Sequence, residues 1–177
     1  TNQGNLATFI DFRGNTGRKW YKGIIQNIVF RGISSYYDVI GLQFNFCVES
    51  ILQNIVVKGF ECGIQINGHY YVCKFYNVAC IWCNYGFRSL TMANGAAFNC
   101  CTFSSCNVGF GYNLSGGVCT GAYLNNCYFE QNNIAIQAAI SQSLHINQCY
   151  FEYNWEYTID ILDSIEAWPS ILVLENS

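Results

Sequence analysis

Two glutamates hold the same place in a phrase the chain uses twice: Asn126-Cys127-Tyr128-Phe129-Glu130-Gln131-Asn132 and Gln148-Cys149-Tyr150-Phe151-Glu152-Tyr153-Asn154. If the two copies stack, Glu130 and Glu152 lie one strand spacing apart, roughly 4.8 Å. Side chains splaying from that start reach the roughly 5–5.5 Å between the carboxyls of a retaining glycosidase, or the longer gap of an inverting one. Like charges held that close push one pKa upward, which suits a general acid. The plainer alternative is a solvated pair at a strand end, belonging to a structural phrase.

Whether the copies stack depends on the rest of the chain, and the phrase belongs to a longer series. Gln26-Asn27-Ile28-Val29-Phe30 aligns with Gln53-Asn54-Ile55-Val56-Val57, then with Tyr76-Asn77-Val78-Ala79-Cys80 and Asn99-Cys100-Cys101-Thr102-Phe103. Asn125-Asn126-Cys127-Tyr128-Phe129 and Asn147-Gln148-Cys149-Tyr150-Phe151 continue it. A period in the twenties marks a solenoid, in which each repeat buries its apolar face only against its neighbours. Each repeat divides into three short strands. The first ends inward at Leu52, Phe75, Phe98, Leu124 and Ile146, with Lys74, Ala97, Tyr123 and His145 on the opposite side, as a period of two requires. Asparagine then bends the chain, because its side chain bonds nearby backbone and tolerates unusual dihedrals. The second strand faces inward at the 28/55/78/101/127/149 column and again at Phe30, Val57, Cys80, Phe103, Phe129 and Phe151. The third begins at Gly41, Gly63, Gly86 or Gly109, with Ala135 and Thr158 in the last copies.

That third strand carries the other candidate surface. Gln43, Gln65, Arg88, Gly111, Gln137 and Asp160 form its outward ladder, a stripe of amides and opposite charges able to pair with the hydroxyls of an extended glycan. Asp160 joins Glu130 and Glu152 as a candidate acid, and Arg88 is the candidate neutraliser of a uronate. Trp155, Glu156 and Tyr157, just before Asp160, offer an aromatic platform for a sugar ring. An ordinary solvated face is the competing reading of the stripe. For Tyr128 and Tyr150, packing between subunits is the expected use.

Composition narrows the classes. Of 177 residues, 51% are apolar, 17% aromatic and only 11% charged, with a net charge of −3 and no Lys/Arg cluster, so a nucleic-acid partner is not expected. No apolar run approaches the ~18 residues of a membrane span. A secretion signal is not visible either. Eleven cysteines is an odd number, and several hold periodic apolar positions: Cys101, Cys127 and Cys149 in one column, Cys83 and Cys106 in another continued by Asn132 and Asn154. Free cysteine behaves as a small core hydrophobe, so these read as an interior stack of reduced thiols, formed in a reducing compartment. Cys80-Ile81-Trp82-Cys83 has redox or zinc spacing, but Cys80 falls in the inward column and no second pair completes a site. Neither a metal nor a cofactor is expected. His69, His145 and the Asn113-Leu114-Ser115 triplet read as surface features.

Three strands per turn, inward apolar ladders and asparagine at one corner resemble the single-stranded right-handed parallel β-helix of the pectate-lyase-like superfamily. The resemblance covers residues 23–162 as about six to seven rungs. Residues 1–22 are left as an incomplete first turn or cap, and 163–177 as an exit segment with a possible extra strand at 170–174. The Cys-Tyr-Phe-Glu-x-Asn phrase is similar to one in β-helices of bacteriophage tailspikes and tail fibres. That resemblance implies a homotrimer on the virion tail, folded in the host cytoplasm and working with other tail proteins. Its expected partner is bacterial capsular polysaccharide or lipopolysaccharide, bound and in some members cleaved. A non-catalytic shaft, or a cell-encoded polysaccharide lyase or hydrolase at the cell surface or secreted, stands as the alternative. The clustered aspartates of a calcium-dependent pectate lyase are not seen: only Asp160 and Asp163 lie close together. The short length suggests a piece of a longer protein.

Overall fold

The computed structural model describes residues 7–12, 20–32, 39–45, 47–68, 70–90, 93–112, 114, 121–139, 143–162 and 171–175. Among them there is no helix, and all the paired strands run parallel. One sheet stacks seven strands in chain order: Ala7–Phe12, Val39–Phe44, Cys62–Ile66, Tyr85–Ser89, Val108–Tyr112, Ile134–Ala139 and Tyr157–Leu162. The remaining strands join a second, folded sheet that holds the first and second strands of each repeat. The chain is therefore a β-solenoid, consistent with a right-handed parallel β-helix. Its rungs fall in the register read from the sequence, with 26 opposite 53, 76, 99, 125 and 147 in succession. Trp20–Tyr21 pairs with Cys47–Val48, and Ile171–Glu175 pairs with Ser143–Asn147. Arg13, Arg18, Lys19, His69, Asn113, Ser115 and Asp163 lie outside the described residues.

Left-handed backbone makes the corners. Positive φ recurs in three stacked columns: Lys22, Glu49, Val72 and Gly95 at the first, Asn27, Asn54, Asn77, Cys100, Asn126 and Gln148 at the second, and Gly59, Trp82, Ser105, Gln131 and Tyr153 at the third. Such dihedrals cost an L-residue about 1–2 kcal/mol, least for Asn and Gly. The cost is offset because in the inner rungs the reversal turns the next residue into the core: Ser50, Cys73 and Ala96, then Ile55, Val78, Cys101, Cys127 and Cys149, then Phe60, Cys83, Cys106 and Asn132 are all buried. In the outer rungs Ile28, expected inward, is exposed, and Asn154 is only half-buried, since fewer rungs cover them.

The thiols have a more specific task than filling space. At seven corners the buried residue after the left-handed one donates to the carbonyl two positions back. These are Ser50 to Val48, Cys73 to Tyr71, Cys83 to Ile81, Cys101 to Asn99, Cys106 to Ser104, Cys127 to Asn125 and Cys149 to Asn147. Cysteine is small enough for the interior and still carries a weak donor for a turn carbonyl. Every described cysteine is free, and all but Cys100 are buried. Burial pushes the Cys80 thiol well above its ordinary pKa.

The asparagine ladder differs from the single register expected. Asn27, Asn54 and Asn77 stack at the left-handed position, each amide donating to the one before at 3.0 Å. From the next rung on, the stacked asparagines sit one residue earlier, Asn125 donating to Asn99 at 3.1 Å, while Cys100 and Gln148 take left-handed positions. The change coincides with a break in the strands. Ile24–Arg31, Ile51–Lys58 and Lys74–Ile81 run through the second corner, whereas Ala93–Asn99 and Thr102–Ser104 are separate.

In the core, aromatic rings stack rung on rung: Phe75 on Phe98 at 4.3 Å, Phe87 on Phe110 at 5.0 Å and Phe103 on Phe129 at 5.2 Å between centroids. The glycine column of the third strand answers to close approach. A Cβ on Gly63, Gly86 or Gly109 would sit 2.7, 2.5 or 2.8 Å from the carbonyl oxygen of the next rung.

Candidate functional site

The outward stripe of the third strand has the register expected of it, with Gln43, Gln65, Arg88, Gly111, Gln137 and Asp160 opposite one another. Its polar groups, however, are largely spent on each other. Arg88 donates through Nε and Nη2 to Gln65 Oε1, and Gln65 donates to Asn67. Gln137 Nε2 donates to Asp160 Oδ2 at 2.9 Å. Gln65 is only 5% exposed, and the Leu114 side chain lies against the place a Gly111 side chain would fill. Beneath the stripe, burial raises the Cys62 thiol against the opposing pull of the Arg88 guanidinium. The Arg88 guanidinium also lies 4.9 Å from the Tyr85 ring centre.

Glu130 and Glu152 are register partners one rung apart, both half-buried at the strand end just before the third corner. The Tyr150 hydroxyl donates to Glu152 Oε2 at 3.1 Å, which raises the tyrosine pKa. Tyr128 and Tyr150 lie on the same strands two residues earlier, exposed, with ring centres 5.9 Å apart. Asp160 is separated from the glutamates by the third corner and belongs to the other sheet.

Past that corner the surface opens into a groove of about 520 Å³ lined by Trp82, Ser105, Gln131, Asn84, Asn107, Asn133, Trp155, Cys83 and Cys106. The lining follows from the rung. Trp82, Ser105 and Gln131 are left-handed corner residues, thrown outward; Cys83 and Cys106 are the buried residues after them and form the floor; Asn84, Asn107 and Asn133 come next, with Trp155 at the same offset one rung on. Asn132 braces the floor from inside, its Nδ2 donating to Phe103 O at 2.9 Å and its Oδ1 accepting from Cys106 N. The amide column is ordered along the axis: Asn84 donates to Glu61 at 2.7 Å and Asn133 to Asn107 at 2.8 Å. At the two ends stand tryptophans that are 59% and 71% exposed, Trp82 and Trp155.

Large exposed indoles at the ends of a groove are the informative exception to ordinary surface. Trp82 is costlier still, since a bulky residue takes left-handed backbone at φ 55° where Gly59 does so in the preceding rung. Outliers of that kind point toward function. Of the residues singled out in the sequence, Trp155 lines this groove, while Glu156 and Tyr157 follow it as exposed neighbours. Gln65, Arg88, Gln137 and Asp160 lie in the self-paired stripe. Sequence reasoning missed Trp82, although it directly precedes Cys83 of the buried corner column.

The fold defines a parallel β-solenoid with a polar, tryptophan-ended groove along one corner. Comparison of the chain with protein-family models, with curated proteins and with solved structures gave no match.

Proposed function

We propose that this chain is a glycan-recognition β-helix of the tailspike or tail-fibre kind, which takes a bacterial capsular polysaccharide or lipopolysaccharide chain along the third-corner groove. The observation that carries this reading is the placement of Trp82 and Trp155 at the two ends of an amide-lined groove. Apolar sugar faces stack on indoles while hydroxyls pair with amide donors and acceptors. The rung spacing of roughly 4.8 Å is close to the advance of an extended sugar chain, so successive sugars meet successive amides. In this reading the chain assembles as a homotrimer with other tail proteins on the virion, having folded in the host cytoplasm.

A second reading adds cleavage, and it rests on Glu130 and Glu152 standing in register beside the groove. One carboxyl protonates the glycosidic oxygen while the other attacks the sugar or activates water. The test is to incubate the protein with a panel of capsular polysaccharides and measure both retention and new reducing ends. Retention with release of reducing ends, lost by at least about 100-fold in Glu130→Gln and Glu152→Gln, supports the hydrolase. Retention without cleavage supports a binding module. A chain that retains none of the panel behaves as a shaft, and the proposal fails.

A further inference from the structure

We infer that the groove's ligand is an acidic polysaccharide, held with a carboxylate-bearing sugar at the Trp82 end; the inference rests on the glycan reading of the groove. Arg31 and Lys58 are register partners one rung apart in the column that runs beside the third corner. Like charges directly opposite on neighbouring strands repel and destabilise the pairing. Neither side chain makes an ion pair among the described residues, where Lys22 with Glu49 shows what such a pair looks like at 3.5 Å. Glu61, the acid across the corner, accepts from Asn84 instead. Lys58 is held in place all the same: its Nζ lies 3.6 Å from the centre of the Trp82 ring. A fixed ammonium over an indole, with an arginine at the register position one rung before, matches a sugar ring that bears an anion. The ammonium already covers one indole face, so the sugar meets the part of the exposed ring that it leaves uncovered, and the carboxylate receives charge-assisted hydrogen bonds.

The same column sets the direction. Beyond Lys58 it continues through Ile81 and Ser104 to Glu130 and Glu152. Three rungs, about 14 Å at the strand spacing, thus separate a cationic end from an acidic one. An acidic sugar is drawn to Trp82 and repelled from the Glu130 end, so neutral sugars fill the Trp155 side. A repeat that alternates one acidic residue with neutral ones fits this spacing in a single orientation.

The experiment pairs each acidic capsular polysaccharide with its carboxyl-reduced form, made by carbodiimide activation and borohydride reduction. Affinities are compared for the unmodified protein and for Lys58→Met, Arg31→Gln, Trp82→Ala and Trp155→Ala. The expected result is that reduction weakens binding by at least about tenfold, that the gap shrinks in Lys58→Met and Arg31→Gln and at high salt, and that Trp82→Ala weakens both forms. Equal affinity for acidic and reduced forms overturns the acidic-ligand inference and leaves the groove reading intact. Absence of binding to every form, or binding indifferent to both tryptophan substitutions, overturns the groove reading and this inference with it.

Discussion

Two polar ladders run along this solenoid, and they differ in what their side chains are left to do. On the third-strand sheet, Arg88 is spent on Gln65 and Gln137 on Asp160, with Gln65 almost fully buried. At the third corner, Asn84, Asn107 and Asn133 line an open groove between two exposed tryptophans. Both ladders look alike as lists of residues. The first stabilises the stack, since stacked polar groups that pair along the axis satisfy one another. The second also pairs along the axis, Asn84 with Glu61 and Asn133 with Asn107, but it does so in an open groove whose flanking indoles and remaining amide hydrogens and lone pairs face solvent. A row of polar residues is thus a candidate site when it stays open to solvent and has exposed aromatic faces beside it, rather than by its polarity alone.

Substitutions can break that contrast directly. Removing both indoles, Trp82→Ala with Trp155→Ala, is expected to cost about 3 kcal/mol of glycan binding, more than 100-fold, as truncation of aromatic anchors does. The thermal midpoint should barely move, because both rings are exposed. Arg88→Ala should do the reverse. It strips a buried amide oxygen of its donors and should lower unfolding free energy by about 1–3 kcal/mol, read by denaturant titration, while binding stays within twofold. Trp82→Gly sharpens the comparison within one residue. Glycine relieves the left-handed backbone but loosens the unfolded chain, so stability should hold or rise by up to about 1 kcal/mol as binding falls.

Much of the architecture was legible in the sequence, because a solenoid repeats its own constraints. The inward columns are buried in the middle rungs, from Leu52 to Phe129, while Ile28 and Phe151 at their ends are exposed and half-buried, and the stripe from Gln43 to Asp160 has its expected register. Period-two alternation is enough to place a side chain on a face. It does not say whether Gln65 meets solvent or Arg88, which depends on side-chain reach and on what lies over the sheet. Asparagine proved a partial guide to corners. The second corner keeps its left-handed backbone when Cys100 or Gln148 occupies it, since rung stacking outweighs the residue's own preference. The third corner carries no residue signature: glycine, tryptophan, serine, glutamine and tyrosine all occupy it. Its marker is the buried column one step on, Cys83, Cys106 and Asn132, visible in the sequence as an aligned set. The residue before each member was the one to examine, and that is how Trp82 could have been found.

A crystal structure of the protein with a bound fragment of a polysaccharide it retains tests the central claim most directly. Sugar density lying along Asn84, Asn107 and Asn133 between Trp82 and Trp155 is the predicted result. Density over Gln65, Arg88, Gln137 and Asp160, with the groove empty, would contradict the account.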